Sequence, residues 1–127
     1  MREVVLVVDD EACIRSALRR ELGAEFEVLL ASCYSTALAL LTSAEGIVVV
    51  VSDFHMGDGP SGLELLDEVR RVSPGCGRVL VSANLSANRA LKSGTAHQFI
   101  EKPWYSGEIL AAVRRHAPSR RAGAVNG

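Results

Sequence analysis

Between Gly46 and Ser52 the chain reads Ile-Val-Val-Val-Val, five β-branched residues in succession. Branching at Cβ favours a pleated backbone, and a strand with no polar alternation has no face to offer water. Such a run belongs at the centre of a sheet covered on both sides, as parallel sheets are. A second run, Val4-Val-Leu-Val-Val8, ends abruptly in two adjacent carboxylates, Asp9 and Asp10, with Glu11 behind them. A buried strand that stops in a knot of negative charge calls for a positive species to meet it.

Apolar runs and helical patterns alternate along the whole chain. Val4–Val8 leads to a helix with Ile14, Ala17, Leu18 and Leu22 on one stripe, stopped near Gly23. Phe26 to Ala31 is predicted as a second strand, followed by a helix capped by Ser35 and filled by Leu38, Leu40 and Leu41. The third strand is Ile47 to Val51. Ser61-Gly62-Leu63-Glu64 then has capping-box spacing and opens a helix carrying Leu65, Leu66 and Val69. Arg78 to Val81 is the fourth strand, a short helix surrounds Asn88 to Lys92, and Gln98 to Ile100 is the fifth strand. A last helix spans Ser106 to His116, with Arg114 and Arg115 in the final turn, where cations suit the helix dipole, and Pro118 closes it. Strict alternation of this kind predicts an α/β fold, a doubly wound five-stranded parallel sheet with helices on both faces.

A length of 127 residues suits one domain. The expected division is a domain over residues 1–118 and a flexible tail or linker start over 119–127. A formal net charge of −1 gives no support to direct nucleic-acid binding. The arginine pairs are scattered and suit solvated helix faces. Cys13, Cys33 and Cys76 form no C-x-x-C pair and read as small apolar fillers in a reducing compartment. The apolar runs are too short for a signal peptide or a membrane span, so a soluble cytoplasmic protein without membrane contact is expected.

In parallel sheets, ligands bind beyond the carboxyl ends of the strands. Here those ends are Asp9-Asp10, Ser52-Asp53, Ser82-Ala83 and Glu101-Lys102-Pro103. Two carboxylates about 4 Å apart repel by roughly 4 kcal/mol at an effective dielectric of about 20. Three of them need a cation or a proton. Clustered hard oxygens suit Mg²⁺, which favours sites completed by a phosphate. Lys102 and Ser82 add an ammonium and a hydroxyl able to hold phosphoryl oxygens, and an aspartate can attack phosphorus to form an acyl phosphate. Asp53, at the end of the central strand, is best placed to do so. Taken singly, Asp9 reads as a helix cap, Lys102 as a surface lysine and Ser82 as a turn residue; their joint position at four strand ends favours a shared site.

These residues are similar to a known family. VLVVDDE, VVVVSDFHM, GLELL from Gly62, VLVSAN and FIEKPW resemble, in order and spacing, the receiver domain of bacterial two-component response regulators, over Glu3 to Ala117. The resemblance implies a flavodoxin-like (βα)5 sheet of strand order 2-1-3-4-5, with residues 1–118 as the receiver domain. It implies Asp53 as phosphoacceptor, Asp10 and Asp53 as direct Mg²⁺ ligands together with the backbone carbonyl of His55, and Asp9 as a ligand through water. Ser82 resembles the hydroxyl residue that moves to the new phosphoryl oxygen, Lys102 the lysine that pairs with it, and Phe99 the aromatic switch. The Lys102–Pro103 bond is expected to be cis. His55 and Asn84 are expected to influence the lifetime of the phosphorylated state.

The implied signalling is a phosphorelay. A sensor histidine kinase or phosphotransfer protein donates the phosphoryl group, and its charge biases a face of helix 4, strand 5 and helix 5 between two packings. A downstream protein target or output domain reads that face, and phosphorylation-linked homodimerisation is allowed. Two departures from the family pattern stand out. Gly57 rather than proline follows Met56, and the loop reaches Gly62 one residue late. The His55 side chain, His97 and His116 are expected at the surface, and Trp104 is expected to pack on the last helix, with a docking surface as the sharper reading.

Three other readings compete with this one. A dinucleotide or flavin site would need a Gly- or Ser/Thr-rich loop where DDEA stands, and DDEA repels phosphate. A phosphatase of the aspartyl-phosphate type would place D-x-D after the first strand. An unphosphorylated docking module is the alternative reading, one that leaves the complete set of reacting groups unused. The expectation is therefore a phosphoacceptor that assists its own phosphorylation and dephosphorylation rather than an enzyme acting on outside substrates.

Overall fold

The computed structural model describes residues 2–57, 59–83 and 89–118. Among them are five strands, β1 (Val4–Val8), β2 (Glu27–Ala31), β3 (Ile47–Asp53), β4 (Gly77–Ser82) and β5 (Gln98–Glu101). The helices are α1 (Ala12–Leu22), α2 (Tyr34–Ser43), α3 (Gly62–Val72), α4 (Arg89–Lys92) and α5 (Glu108–His116). The strands form one parallel sheet in the order β2-β1-β3-β4-β5, so the all-β-branched run does occupy the middle.

Two apolar layers sandwich the sheet. Val5, Val7, Val49, Val51, Val79 and Val81 face Leu18 and Leu22 of α1 and Ile109 and Val113 of α5. Leu6, Val8, Val50 and Leu80 face Ala37 of α2 and Leu65, Leu66 and Val69 of α3. Alternation along β1 sorts its residues between the layers as a period of two requires. In β3 the alternation breaks once: Val48 and Val49 both turn to the α1–α5 side. The pairing with β1 slips at the same place, from Val4↔Ile47 to Val5↔Val49. One extra residue, a β-bulge at Val48, therefore resets every position downstream of it. Val8 ends opposite Ser52, so Asp9 and Asp53 fall at the same level.

Several local boundaries differ from the sequence expectation. Phe26 does not start β2, because its N–H bonds back to the Leu22 carbonyl at 3.0 Å and completes the exit from α1. β3 runs on through Ser52 and Asp53, since burial in the sheet extends to the functional end. β4 begins one residue earlier and ends one later than the pattern suggests, and β5 takes in Glu101. Cys33 rather than Ser35 is the N-cap residue of α2, and its side chain makes no capping bond. α5 begins at Glu108 behind Gly107, whose φ of 83° excludes Ser106 as the start. Ser61 does cap α3, its Oγ accepting the Glu64 N–H at 3.2 Å. The tail at 119–127, Asn84 and the expected first residue of the short helix, Asn88, lie outside the described residues. Among the described residues no helix is long and apolar enough to cross a membrane.

The end of the sheet remote from the acids is tied by Arg78, which is 4 % exposed. Its guanidinium donates to the carbonyls of Thr95 at 2.8 Å, Pro74 and Cys76 at 3.2 Å and Gly94 at 3.3 Å. His97 and His116, expected at the surface, are half-buried instead. Nδ1 of His97 accepts the Arg78 N–H at 3.0 Å, and the two rings stack with centroids 5.5 Å apart. His116 Nε2 is 2.9 Å from the Gln98 amide oxygen. Strand-start residues near a buried guanidinium have carbonyls to satisfy, and a period-two reading carries no signal of that. Replacing Arg78 by Met leaves those carbonyls without their donor and is expected to cost about 3 kcal/mol of stability, read from urea unfolding.

Candidate functional site

The register brings four strand ends to one rim. Asp9 follows β1, Asp53 ends β3, Ser82 ends β4 and Lys102 follows β5. One ligand oxygen from each of Asp9, Asp10 and Asp53 lies within 4.8 Å of the others. Lys102 Nζ sits 3.1 Å from Asp9 Oδ2 and 3.4 Å from Asp53 Oδ1. Asp9 and Asp53 are buried, at 3 % and 8 % exposure, while Asp10 is open to solvent.

Asp9 serves the backbone as well as the rim. Its Oδ1 accepts the Glu11 N–H at 2.9 Å, but Glu11 is the N-cap residue of α1, so Asp9 braces the turn before the helix rather than capping it. With Oδ2 bonded to Lys102, both of its carboxylate oxygens already have partners. Arg15 donates Nη1 to the Asp9 carbonyl at 2.8 Å. The sequence reading passed over Arg15, although a cation on the inner side of the first helical turn after an acidic pair is a recognisable signal.

Ser52 and Gly62 fix the Asp53 end of β3 from behind. Ser52 is fully buried, and its Oγ donates to the Asp53 carbonyl at 2.9 Å. Gly62 N–H donates to the Phe54 carbonyl at 2.8 Å. A Cβ on Gly62 would stand 1.8 Å from the Asp53 carbonyl oxygen and 2.8 Å from Ser52 Oγ. Only glycine admits this close approach. The longer loop therefore still delivers its glycine to the acid, although Gly57 (φ 71°) replaces the usual proline.

Of the remaining expected residues, Ser82 is buried on the strand beside Asp53, one step beyond the Asp53↔Val81 pair. Phe99 pairs with Leu80 and lies half-buried against the α2–α3 layer. The His55 side chain is exposed, with its ring edge-on to Phe54 at 4.9 Å, as a loop histidine should be. The Lys102–Pro103 bond is cis. Trp104 packs on the α1–α5 layer and, with Ile14, Ala83, Lys102 and Pro103, walls an apolar groove of about 460 Å³ beside the acids. The core packing expected of Trp104 is seen, and the rest of its surface faces the groove.

Burial, then the charges of Asp9 and Asp10, raise the Asp53 carboxyl above its usual range, with Lys102 working against them. Burial pulls the Lys102 ammonium down, but the Asp9 and Asp53 carboxylates outweigh it and hold Lys102 above its usual range. The site is short of positive charge. The donor set fits Mg²⁺: three hard oxygens from separate side chains close enough to converge on one ion, on a rim open to water.

The model of the response regulator receiver domain matches residues 5–114. The chain is 36 % identical, over 87 % of its length, to the hydrogenase transcriptional regulatory protein HoxA of Cupriavidus necator, covering 23 % of that protein. It is 32 % identical, over 92 % of its length, to the C4-dicarboxylate transport transcriptional regulatory protein DctD of Pseudomonas aeruginosa, covering 26 % of it. The chain thus spans about a quarter of these curated relatives. Among solved structures, the response regulator TrrA of Thermotoga maritima, in complex with Mg²⁺ and BeF, superposes with a TM-score of 0.80 at 30 % identity, covering 90 % of this chain and 98 % of that one.

The electrostatics give a signed prediction. Because the Asp53 carboxyl lies above 3.8 when folded, the native state holds its proton while the unfolded chain ionises, so stability falls as pH rises through that window. Asp53→Asn removes this penalty. In metal-free buffer its melting temperature should exceed that of the wild type at pH 7, and the gap should close below pH 3.8, where Asp53 is protonated in both states. Gly62→Ala should instead lose about 3 kcal/mol in urea unfolding, because backbone must move to admit the methyl. Fold, rim geometry and sequence agree: the chain belongs to the response regulator receiver domains, the phosphorelay modules of two-component signalling.

Proposed function

We propose that this chain accepts a phosphoryl group on Asp53, with Mg²⁺, from a phosphohistidine on a sensor histidine kinase or phosphotransfer protein. One observation carries the reading: Lys102 bridges Asp9 and Asp53 while Asp10 completes a triad of acids around one point. Asp10 and Asp53, with the His55 carbonyl, would hold the metal directly. Asp9, with both carboxylate oxygens already bonded, suits contact through water. Bound there, Mg²⁺ would neutralise the acids and take up phosphoryl oxygens.

The ionised Asp53 oxygen attacks phosphorus, an O–P bond forms, and the N–P bond of the donor breaks with its electron pair left on the imidazole. Lys102, already within 3.4 Å of Asp53, needs only a small shift to pair with the new phosphoryl oxygen. The Ser82 hydroxyl can donate to another from the adjacent strand. Its movement leaves room toward which Phe99, half-buried two residues along the neighbouring pair, can turn. The face of α4, β5 and α5 is then biased toward one packing, read by an output domain or a separate target protein. The chain acts as a phosphoacceptor that helps to make and hydrolyse its own acyl phosphate. The transcriptional regulators to which it is similar suggest a transcriptional output carried outside this domain.

Incubation with Mg²⁺ and acetyl phosphate, followed by intact mass measurement, should show a single added phosphoryl group that base removes. Chelation and Asp53→Asn should each abolish it, and Lys102→Met should slow it by about 10²-fold, as loss of one charge-stabilising donor does. An unchanged mass gain in Asp53→Asn would overturn the assignment of the acceptor.

A further inference from the structure

The turn between β1 and α1 carries two of the three acids, and the helix it launches holds its backbone. Arg15, half-buried in the first turn of α1, donates Nη1 to the Asp9 carbonyl at 2.8 Å. That carbonyl belongs to the peptide joining Asp9 to Asp10. A peptide is planar, so anchoring its oxygen sets the tilt of the plane and the direction in which the Asp10 side chain leaves the chain. Asp9 is held independently, by its N–H to the Ala31 carbonyl at 3.1 Å and by its carboxylate to Glu11 and Lys102. Asp10 is exposed, so it lacks the packing that fixes Asp53. Its aim rests on the backbone, which Arg15 holds on one side of Asp10 while the Glu11 N–H bond to Asp9 Oδ1 holds it on the other.

We propose that Arg15 is a positioning residue for the Mg²⁺ site, keeping the Asp10 carboxylate turned toward the point that Asp9 and Asp53 face. The inference rests on the reading of the acid cluster as a Mg²⁺ site. Two physical effects of Arg15 oppose each other. As a nearby cation it repels Mg²⁺, so a purely electrostatic role predicts tighter binding when it is removed. As an anchor of the ligand-bearing peptide it predicts weaker binding, and loss of an outer-shell partner weakens metal binding by about 10–100-fold. Anchoring should win, because the guanidinium is bonded to the carbonyl and not to a carboxylate.

Calorimetric titration of Mg²⁺ into the wild type, Arg15→Met, Arg15→Lys and Arg19→Met separates these effects. Arg15→Met should bind about tenfold more weakly, at the lower end of the outer-shell range. Arg15→Lys keeps the charge and a donor at shorter reach and should fall between. Arg19, exposed on the same helix, should be silent. In acetyl phosphate labelling, Arg15→Met should need more Mg²⁺ for half-maximal rate yet approach the wild-type maximum at saturation. Thermal melting monitors the fold; should the Met variant unfold, Arg15→Lys carries the same comparison. Equal or tighter binding by the Arg15 variants overturns the positioning role while leaving the site intact. Absence of Mg²⁺ binding by the wild type overturns the reading beneath it.

Discussion

The Lys102 ammonium, 3.1 Å from one buried carboxylate and 3.4 Å from another, is the contact around which this rim is organised. Neighbouring strands lie about 4.8 Å apart, so β5 and β3 are separated by about 10 Å across β4. A long, unbranched side chain is suited to span that gap with its charge intact. The contact also joins residues 93 positions apart in the chain, Asp9 and Lys102, so it forms only when the full sheet has closed in its proper order. One ammonium among three acids leaves a deficit, which adds to burial in raising the tendency of Asp53 to keep its proton. A site with this imbalance favours a further cation.

Placing the acids at a common level depends on two backbone devices. The bulge at Val48 shifts β3 by one residue against β1, and without it Asp9 would stand opposite Ser52. The side-chain period of a strand is two, so that slip would also turn Asp53 toward the other face. Gly62 then lets the start of α3 approach the Asp53 carbonyl, where any side chain would force the strand end outward. Both devices act through main-chain geometry, on residues that take no part in the chemistry.

The far end of the sheet uses different physics. Arg78 turns its guanidinium inward to four carbonyls of the turns around β4 and β5, and His97 accepts the Arg78 N–H. These bonds link β4, β5 and, through the His97–His116 stack, α5. They give a rigid base to the elements whose other end borders the acids. The structure thus separates a hydrogen-bonded, saturated end from an electrostatically unsaturated one.

Much of this was legible in the residues themselves. The β-branched runs, their alternation with amphipathic segments and the acids, hydroxyl and lysine following them predicted the parallel sheet, its central strand and the convergence of Asp9, Asp10, Asp53 and Lys102, because burial period and chain direction are local properties. What the tertiary structure alone decided is register and partnership. In Ile-Val-Val-Val-Val every residue suits either face, so no pattern could reveal the bulge that sets Asp9 beside Asp53. Arg78, His97 and Gly62 owe their contacts to carbonyls and side chains brought close by folding, and a backbone carbonyl is the same in every residue.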